Sequence, residues 1–235
     1  MFDDIIFPLF VIFLIIVSTF FILLFIYILK YLRISIYQKA RQYSELNHRV
    51  PERQVVFVGD SLTEFFKIHE FFPKLGVYNR GIASDTTVGV LDRLHDNVIV
   101  LNPRKVFVQI GTNDIQAGTK IPMIINNIKM ILCELKYKLP QTKVYFLSLY
   151  PINPKAVIFS PFFVFPRKNK TIIKINEQIK AYCDENAIPF INVYDHLIDD
   201  DGNLKKDYTV EGLHVSYNGY CVIANLIEPL LCDND

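Results

Sequence analysis

Two patterns divide the chain. From Ile5 to Leu29 there is no charged residue, and only Pro8, Ser18 and Thr19 break a run of Ile, Leu, Phe and Val. From Gln54 onward, short apolar runs alternate with amphipathic stretches. Val55–Val58, Val77–Asn79, Lys105–Ile110, Lys143–Leu149 and Phe190–Val193 read as five strands. Their centres are apolar and rich in β-branched residues, as in strands buried on both faces of a parallel sheet. Ser61 onward and Thr86–His95 read as helices. Ile121–Leu139 sets Ile124, Ile125, Ile128, Ile131, Leu132 and Leu135 at helical spacing and stops at Pro140. Thr171–Asn186 and Ser216–Leu230 complete the set. Strands separated by helices predict parallel βαβ units, hence an α/β fold: a three-layer α/β/α sandwich around a five-stranded, mostly parallel sheet.

The first pattern has a different meaning. As a helix, Ile5–Leu29 extends roughly 37 Å, enough to cross a bilayer core of ~30 Å with some tilt. Core helices of soluble domains are seldom apolar all round at this length. A cleaved leader fits poorly, because Met1-Phe2-Asp3-Asp4 is acidic and no small-residue cleavage site follows the run. The expected organisation is therefore an N-terminal transmembrane anchor over 1–30, a basic helical stalk or linker over 31–53, and one domain over 54–235. Lys30, Arg33, Lys39 and Arg41 follow the span and no Lys or Arg precedes it, so the positive-inside tendency assigns the domain to the cytoplasm. Tyr27 and Tyr31 sit where interfacial aromatic rings are common.

Composition adds mainly exclusions. A net charge of +1, with no Lys/Arg-rich run in the domain, argues against nucleic acid as a partner. Cys133, Cys183, Cys221 and Cys232 form no CxxC pair, so neither a metal site nor a disulfide framework is expected. No metal or organic cofactor is anticipated.

The candidate chemistry lies at the predicted strand ends, where α/β sheets collect their working residues. Val58 is followed by Gly59-Asp60-Ser61, Asn79 by Arg80-Gly81, and Ile110 by Gly111-Thr112-Asn113-Asp114. Ser61 would stand at a helix N-terminus among free backbone N–H groups, a suitable place for a nucleophile whose reaction develops negative charge. Gly-Asp-Ser by itself is equally a capped βα loop. Near the C-terminus, Glu211-Gly212-Leu213-His214 sets a carboxylate three residues before a histidine. A histidine base needs such an acceptor on its second nitrogen, although acid–His spacings of this length also arise by chance.

Taken in order, Gly59-Asp60-Ser61-Leu62, Asn79-Arg80-Gly81-Ile82, Gly111-Thr112-Asn113-Asp114 and Glu211-Gly212-Leu213-His214 resemble the four sequence blocks of the SGNH, or GDSL, serine hydrolases. The stretch Asn79–Thr87 with Val90–Leu94 is most similar to the branch holding platelet-activating-factor acetylhydrolase catalytic subunits and lysophospholipase-like esterases. The resemblance implies a flavodoxin-like SGNH hydrolase fold and carboxylic ester hydrolysis. It further implies Ser61 as nucleophile, His214 as general base, and an oxyanion hole made by the Ser61 and Gly81 N–H groups with the Asn113 amide. Glu211 departs from the family aspartate, with one more methylene between backbone and carboxylate. The substrate expected is a lipid ester or an O-acetyl ester. An acyltransferase using the same acyl-enzyme, or a silent tethered binding domain, remain the alternatives. Finally, Pro151–Pro166 is rich in Pro, Phe and Ile and unsuited to a regular helix. It reads as a loop packed on the core, an acyl-chain wall, or a flap touching the bilayer.

Overall fold

A computed structural model describes residues 3–232. Met1, Phe2 and the last three positions of the 54–235 unit lie outside the described residues. A single helix, α1 (Asp3–Leu46), opens the chain and ends in a 3-10 turn at Asn47–Arg49. Then follow β1 (Val55–Gly59), α2 (Ser61–Glu64), α3 (Ile68–Phe71), β2 (Val77–Gly81), α4 (Thr87–Asn97) and β3 (Lys105–Gln109). Next come α5 (Thr112–Gln116), α6 (Ile121–Lys138), β4 (Lys143–Leu147), α7 (Ser160–Val164) and α8 (Asn169–Glu185). The chain closes with β5 (Phe190–Ile191), α9 (Tyr194–Leu197) and α10 (Tyr217–Cys232).

All five strands are parallel, in the order β2-β1-β3-β4-β5. The chain moves one way from β1 to β2 and the other way from β3 onward. With right-handed crossovers, that reversal puts the β1–β2 connection on the opposite face from the rest. The cores divide accordingly. Val56, Val58, Val106, Val108 and Phe146 pack under α4, α6 and α8 through Leu94, Ile128, Leu132 and Ile175. Val55, Phe57, Phe107 and Tyr145 face α2, α3 and α10 through Leu62, Ile68, Tyr220 and Ile227. Phe57, Phe107 and Tyr145 stack in a row across three strands, with centroids 4.6 Å apart at each step.

The predicted strands and long helices are present, with ends shifted by a few residues. Thr86, expected to begin a helix, instead caps α4, its hydroxyl accepting from Gly89 N–H. Inside the proline-broken stretch one short helix does form, α7, with Pro161 in its first turn, where a missing N–H costs nothing.

Residue 30, the expected end of the anchor, lies within one continuous helix. Phe7–Leu29 is long and apolar enough to cross a membrane, and none of its residues is buried. The C-terminal third of α1 lies against the domain. Tyr43 donates to Gly81 O, Lys39 pairs with Glu64, and Asn97 donates to Ala40 O and Ser44 Oγ. The Arg80 guanidinium stands 4.8 Å from the Tyr43 ring.

Candidate active site

The strand order reverses between β1 and β3, and a crevice opens there at the carboxyl ends of the strands. Ser61 enters it from β1. Gly59 permits the turn, since a Cβ there would lie 2.1 Å from Gln109 O on the neighbouring strand. Asp60 then caps α2 by accepting from Leu62 N–H, leaving Ser61 as the first helical residue. The serine is buried, with its Oγ 3.1 Å from His214 Nε2.

His214 belongs to the loop before α10. A pair of bonds through Thr209 shapes that loop: its hydroxyl accepts from Gly212 N–H and donates to His214 O. Gly212 has φ +101°, and its carbonyl accepts from Asn153 N–H. A side chain there would strike Asn153 O. The resulting tight turn folds Glu211 back beneath the imidazole, with Oε1 2.5 Å from His214 Nδ1 and 3.3 Å from His214 N. The extra methylene of glutamate is absorbed by the turn. Its second oxygen, Oε2, is buried without a partner among the described residues.

Asn113 comes from β3 through the first turn of α5. Its Nδ2 donates to Asp85 O, and its Oδ1 accepts from Arg167. Arg167 was not singled out in the sequence. It is buried, and its other bonds run to Thr112 O, Phe163 O and Gln116 Oε1. Because a guanidinium only donates, it fixes which end of the Asn113 amide is oxygen; the nitrogen has a second hydrogen besides the one given to Asp85 O. Burial lowers the Arg167 pKa from its ordinary value, and the nearby Asp60 carboxyl opposes that shift.

Gly81 is placed differently from the other expected oxyanion donors. Its N–H already donates to Asn79 Oδ1 at 2.8 Å, so its one hydrogen is in use. A Cβ at Gly81 would meet Glu64 N at 2.3 Å; its glycine serves close packing of β2 against α2. The crevice wall is instead Ala83 and Ser84. Ser84 adopts φ +66°, a left-handed conformation usual for glycine, and its N–H has no acceptor among the described residues.

Beneath the crevice, buried acids hold these loops. Asp85 pairs with Arg93 at 2.7 Å, and Arg93 also donates to Gly59 O and Arg80 O, tying the ends of β1 and β2. Asp114 accepts from the N–H and hydroxyl of Thr87, joining the β3 loop to α4. Burial raises the pKa of Asp85 and Asp114, against these partners, and pushes Asp60 up to about 7.

Two hollows meet at His214. The smaller, about 310 Å³, holds Ser61, Ser84, Asn113 and Arg167 with Phe162 and Phe163. The larger, about 800 Å³, is mostly apolar, lined by Phe65, Phe71, Phe163, Val210 and Tyr217, with Lys67, Glu70 and the Glu211 partner of His214 as its charges. No cluster of three potential metal-binding side chains occurs among the described residues.

Residues 57–222 match the GDSL-like lipase/acylhydrolase family. The chain belongs to that family. A Streptococcus pneumonia structure named for platelet activating factor is similar at 30% identity and a TM-score of 0.79, covering 87% of this chain and 96% of that one. Bovine platelet-activating factor acetylhydrolase IB subunit alpha1 is 28% identical over 186 residues, 77% of this chain and 75% of the relative. An Escherichia coli N-acylneuraminate cytidylyltransferase is 27% identical over 205 residues, 83% of this chain. The chain spans only 46% of that relative's length, so the name describes a larger protein. Membership of the GDSL family accounts for the sheet order and for the succession of strand-end motifs.

Proposed function

We propose that the protein is a membrane-anchored serine hydrolase that cleaves carboxylic esters through an acyl-serine intermediate. The observation carrying this reading is the hydrogen-bonded row Ser61 Oγ, His214 Nε2, His214 Nδ1, Glu211 Oε1, with steps of 3.1 and 2.5 Å. Ser61 attacks the ester carbonyl while His214 takes its proton at Nε2. Glu211 holds the opposite N–H, fixing the tautomer and stabilising the imidazolium. The oxyanion forms against the N–H groups of Ser61 and Ser84 and the Asn113 amide; Ser84 takes the role first expected of Gly81. His214 then returns the proton to the leaving alcohol, and water repeats the sequence to release the acid. No cofactor is required by these steps.

Residues 5–29 are assigned to the bilayer, and residues 54–235 to a cytoplasmic catalytic unit by the basic residues that follow the span. The apolar 800 Å³ hollow supports a hydrocarbon-bearing ester over a small polar one, since it abuts His214 and carries few charges. Hydrolysis of an ester chain-length series by the full chain, lost in Ser61→Ala, tests the reading. Acyl groups recovered on an added alcohol, in place of free acid, would identify a transferase instead.

A further inference from the structure

The direction in which α1 leaves the domain sets which face of the domain meets the membrane. Two independent registers give that direction. Against β2 and α2, Asn47 bonds Arg80, Tyr43 bonds Gly81 O, and Lys39 pairs with Glu64. Against α4, Asn47 and Ser44 meet Asp96 and Asn97, whereas Arg33, Ile36 and Tyr37 lie in a groove with Gly89. In both, lower numbers on α1 lie closer to the carboxyl ends of the strands. Glu64 also accepts from Ala83 N–H at the crevice wall, so Lys39 stands level with the active-site rim. The apolar run therefore exits past the catalytic face, and Leu29 lies about ten residues, or ~15 Å of helix, beyond that rim.

The same face carries an apolar projection with no protein partner among the described residues. Around α7, Ile158 is 84% exposed, Phe159 62%, Phe162 80% and Phe165 74%. An exposed patch of this kind marks an interaction surface. Its chain context favours lipid. Residues 151–170 contain no acid, and beside the buried Arg167 they carry the exposed Lys155, Lys168 and Lys170, with lysines on both flanks of the apolar tip. Apolar tips between basic margins suit the headgroup boundary of an anionic membrane. Phe162 and Phe163 of the same projection wall the Ser61 hollow.

We propose that the catalytic face docks on the bilayer that holds residues 5–29, with the 158–165 projection seated at the acyl–headgroup boundary. The ester substrate is then a lipid of that same bilayer, and it passes from the membrane along Phe162 and Phe163 to Ser61. This rests on the anchor reading of α1 but is separable from the esterase chemistry.

The chain contains no tryptophan, so single introduced tryptophans report unambiguously. Full-length protein is reconstituted in phosphatidylcholine–phosphatidylglycerol vesicles, with and without bromine-labelled acyl chains. Ile158→Trp and Phe159→Trp are expected to show blue-shifted emission quenched by bromine about as strongly as Phe13→Trp in the apolar run. Tyr137→Trp, exposed at the far end of α6, is expected to stay red-shifted and unquenched. Quenching of Phe13→Trp with Ile158→Trp and Phe159→Trp behaving like Tyr137→Trp would overturn the docking and leave the anchor standing. An unquenched Phe13→Trp would overturn both. Blue-shifted but unquenched Ile158→Trp would mean that protein, such as a second copy, covers the patch, and would equally overturn the proposal. Fluorophosphonate labelling of the same samples reports separately on the esterase reading.

Discussion

The two halves of the proposed site are built by different means. On the acceptor side, Ser61, Ser84 and Asn113 come from loops after β1, β2 and β3, and buried pairs such as Asp85–Arg93 and Asp114–Thr87 stitch those loops together. On the proton-transfer side, His214 and Glu211 hang on one loop pinned by Thr209 and Asn153. The His214 side chain remains 28% exposed. The acceptor side cannot shift without disturbing the sheet ends, which suits dipoles that must be aimed before charge develops. The proton side is a single turn and can accommodate one extra methylene. That difference explains how glutamate stands where the family pattern has aspartate.

The largest expected effect breaks the proton side. Glu211→Gln keeps the shape but cannot accept from His214 Nδ1 as a carboxylate, and kcat should fall ~10³–10⁴-fold. A near wild-type rate in steady-state ester hydrolysis would remove Glu211 from the relay. Breaking the acceptor side is expected to cost less. Asn113→Ala removes one of three donors and should lower kcat ~10²–10³-fold with little change in KM. An unchanged kcat would take the Asn113 amide out of the oxyanion hole.

Arg167 sharpens the comparison, because it acts on the acceptor side through Asn113. Arg167→Met should lower kcat ~10- to 10²-fold by freeing the amide to turn, again with KM little changed. In the Asn113→Ala background the same substitution should add almost nothing. Full additivity of the two losses would mean that Arg167 works elsewhere, for instance in holding α7.

The last effect concerns stability and leaves the rates aside. Burial holds Asp60 at about 7, above its ordinary 3.8. The folded state therefore keeps a proton that the unfolded chain has lost between those values. This contribution is fully present below pH ~4 and disappears as pH rises through ~7. Asp60→Asn preserves an acceptor for Leu62 N–H and removes the titration. Denaturant unfolding between pH 4 and 7 should then lose a downward slope of up to about 1.4 kcal/mol per pH unit. An unchanged slope would place Asp60's proton elsewhere.

Much of this was readable from residues in order. The uncharged β-branched run Val55–Val58 marks a central strand, Ser61 and Asn113 each follow the break at a strand end, and His214 is picked out by Glu211 three residues before it together with the family resemblance. What was hidden depends on conformation or on distant chain. Ser84 takes a glycine-like φ without being glycine, so the family resemblance pointed to Gly81, whose N–H the neighbouring Asn79 side chain occupies. Arg167 reaches Asn113 across 54 positions and carries no local motif. The docked end of α1 looked like a linker because its contacts, Tyr43 to Gly81 and Lys39 to Glu64, pair polar groups and leave no hydrophobic period.

The central claim is an activated Ser61, and fluorophosphonate labelling of the full-length protein in vesicles tests it most directly. The account predicts rapid labelling that vanishes in Ser61→Ala and slows strongly in His214→Ala. Absence of labelling on folded wild-type protein, or labelling that survives Ser61→Ala, would contradict it.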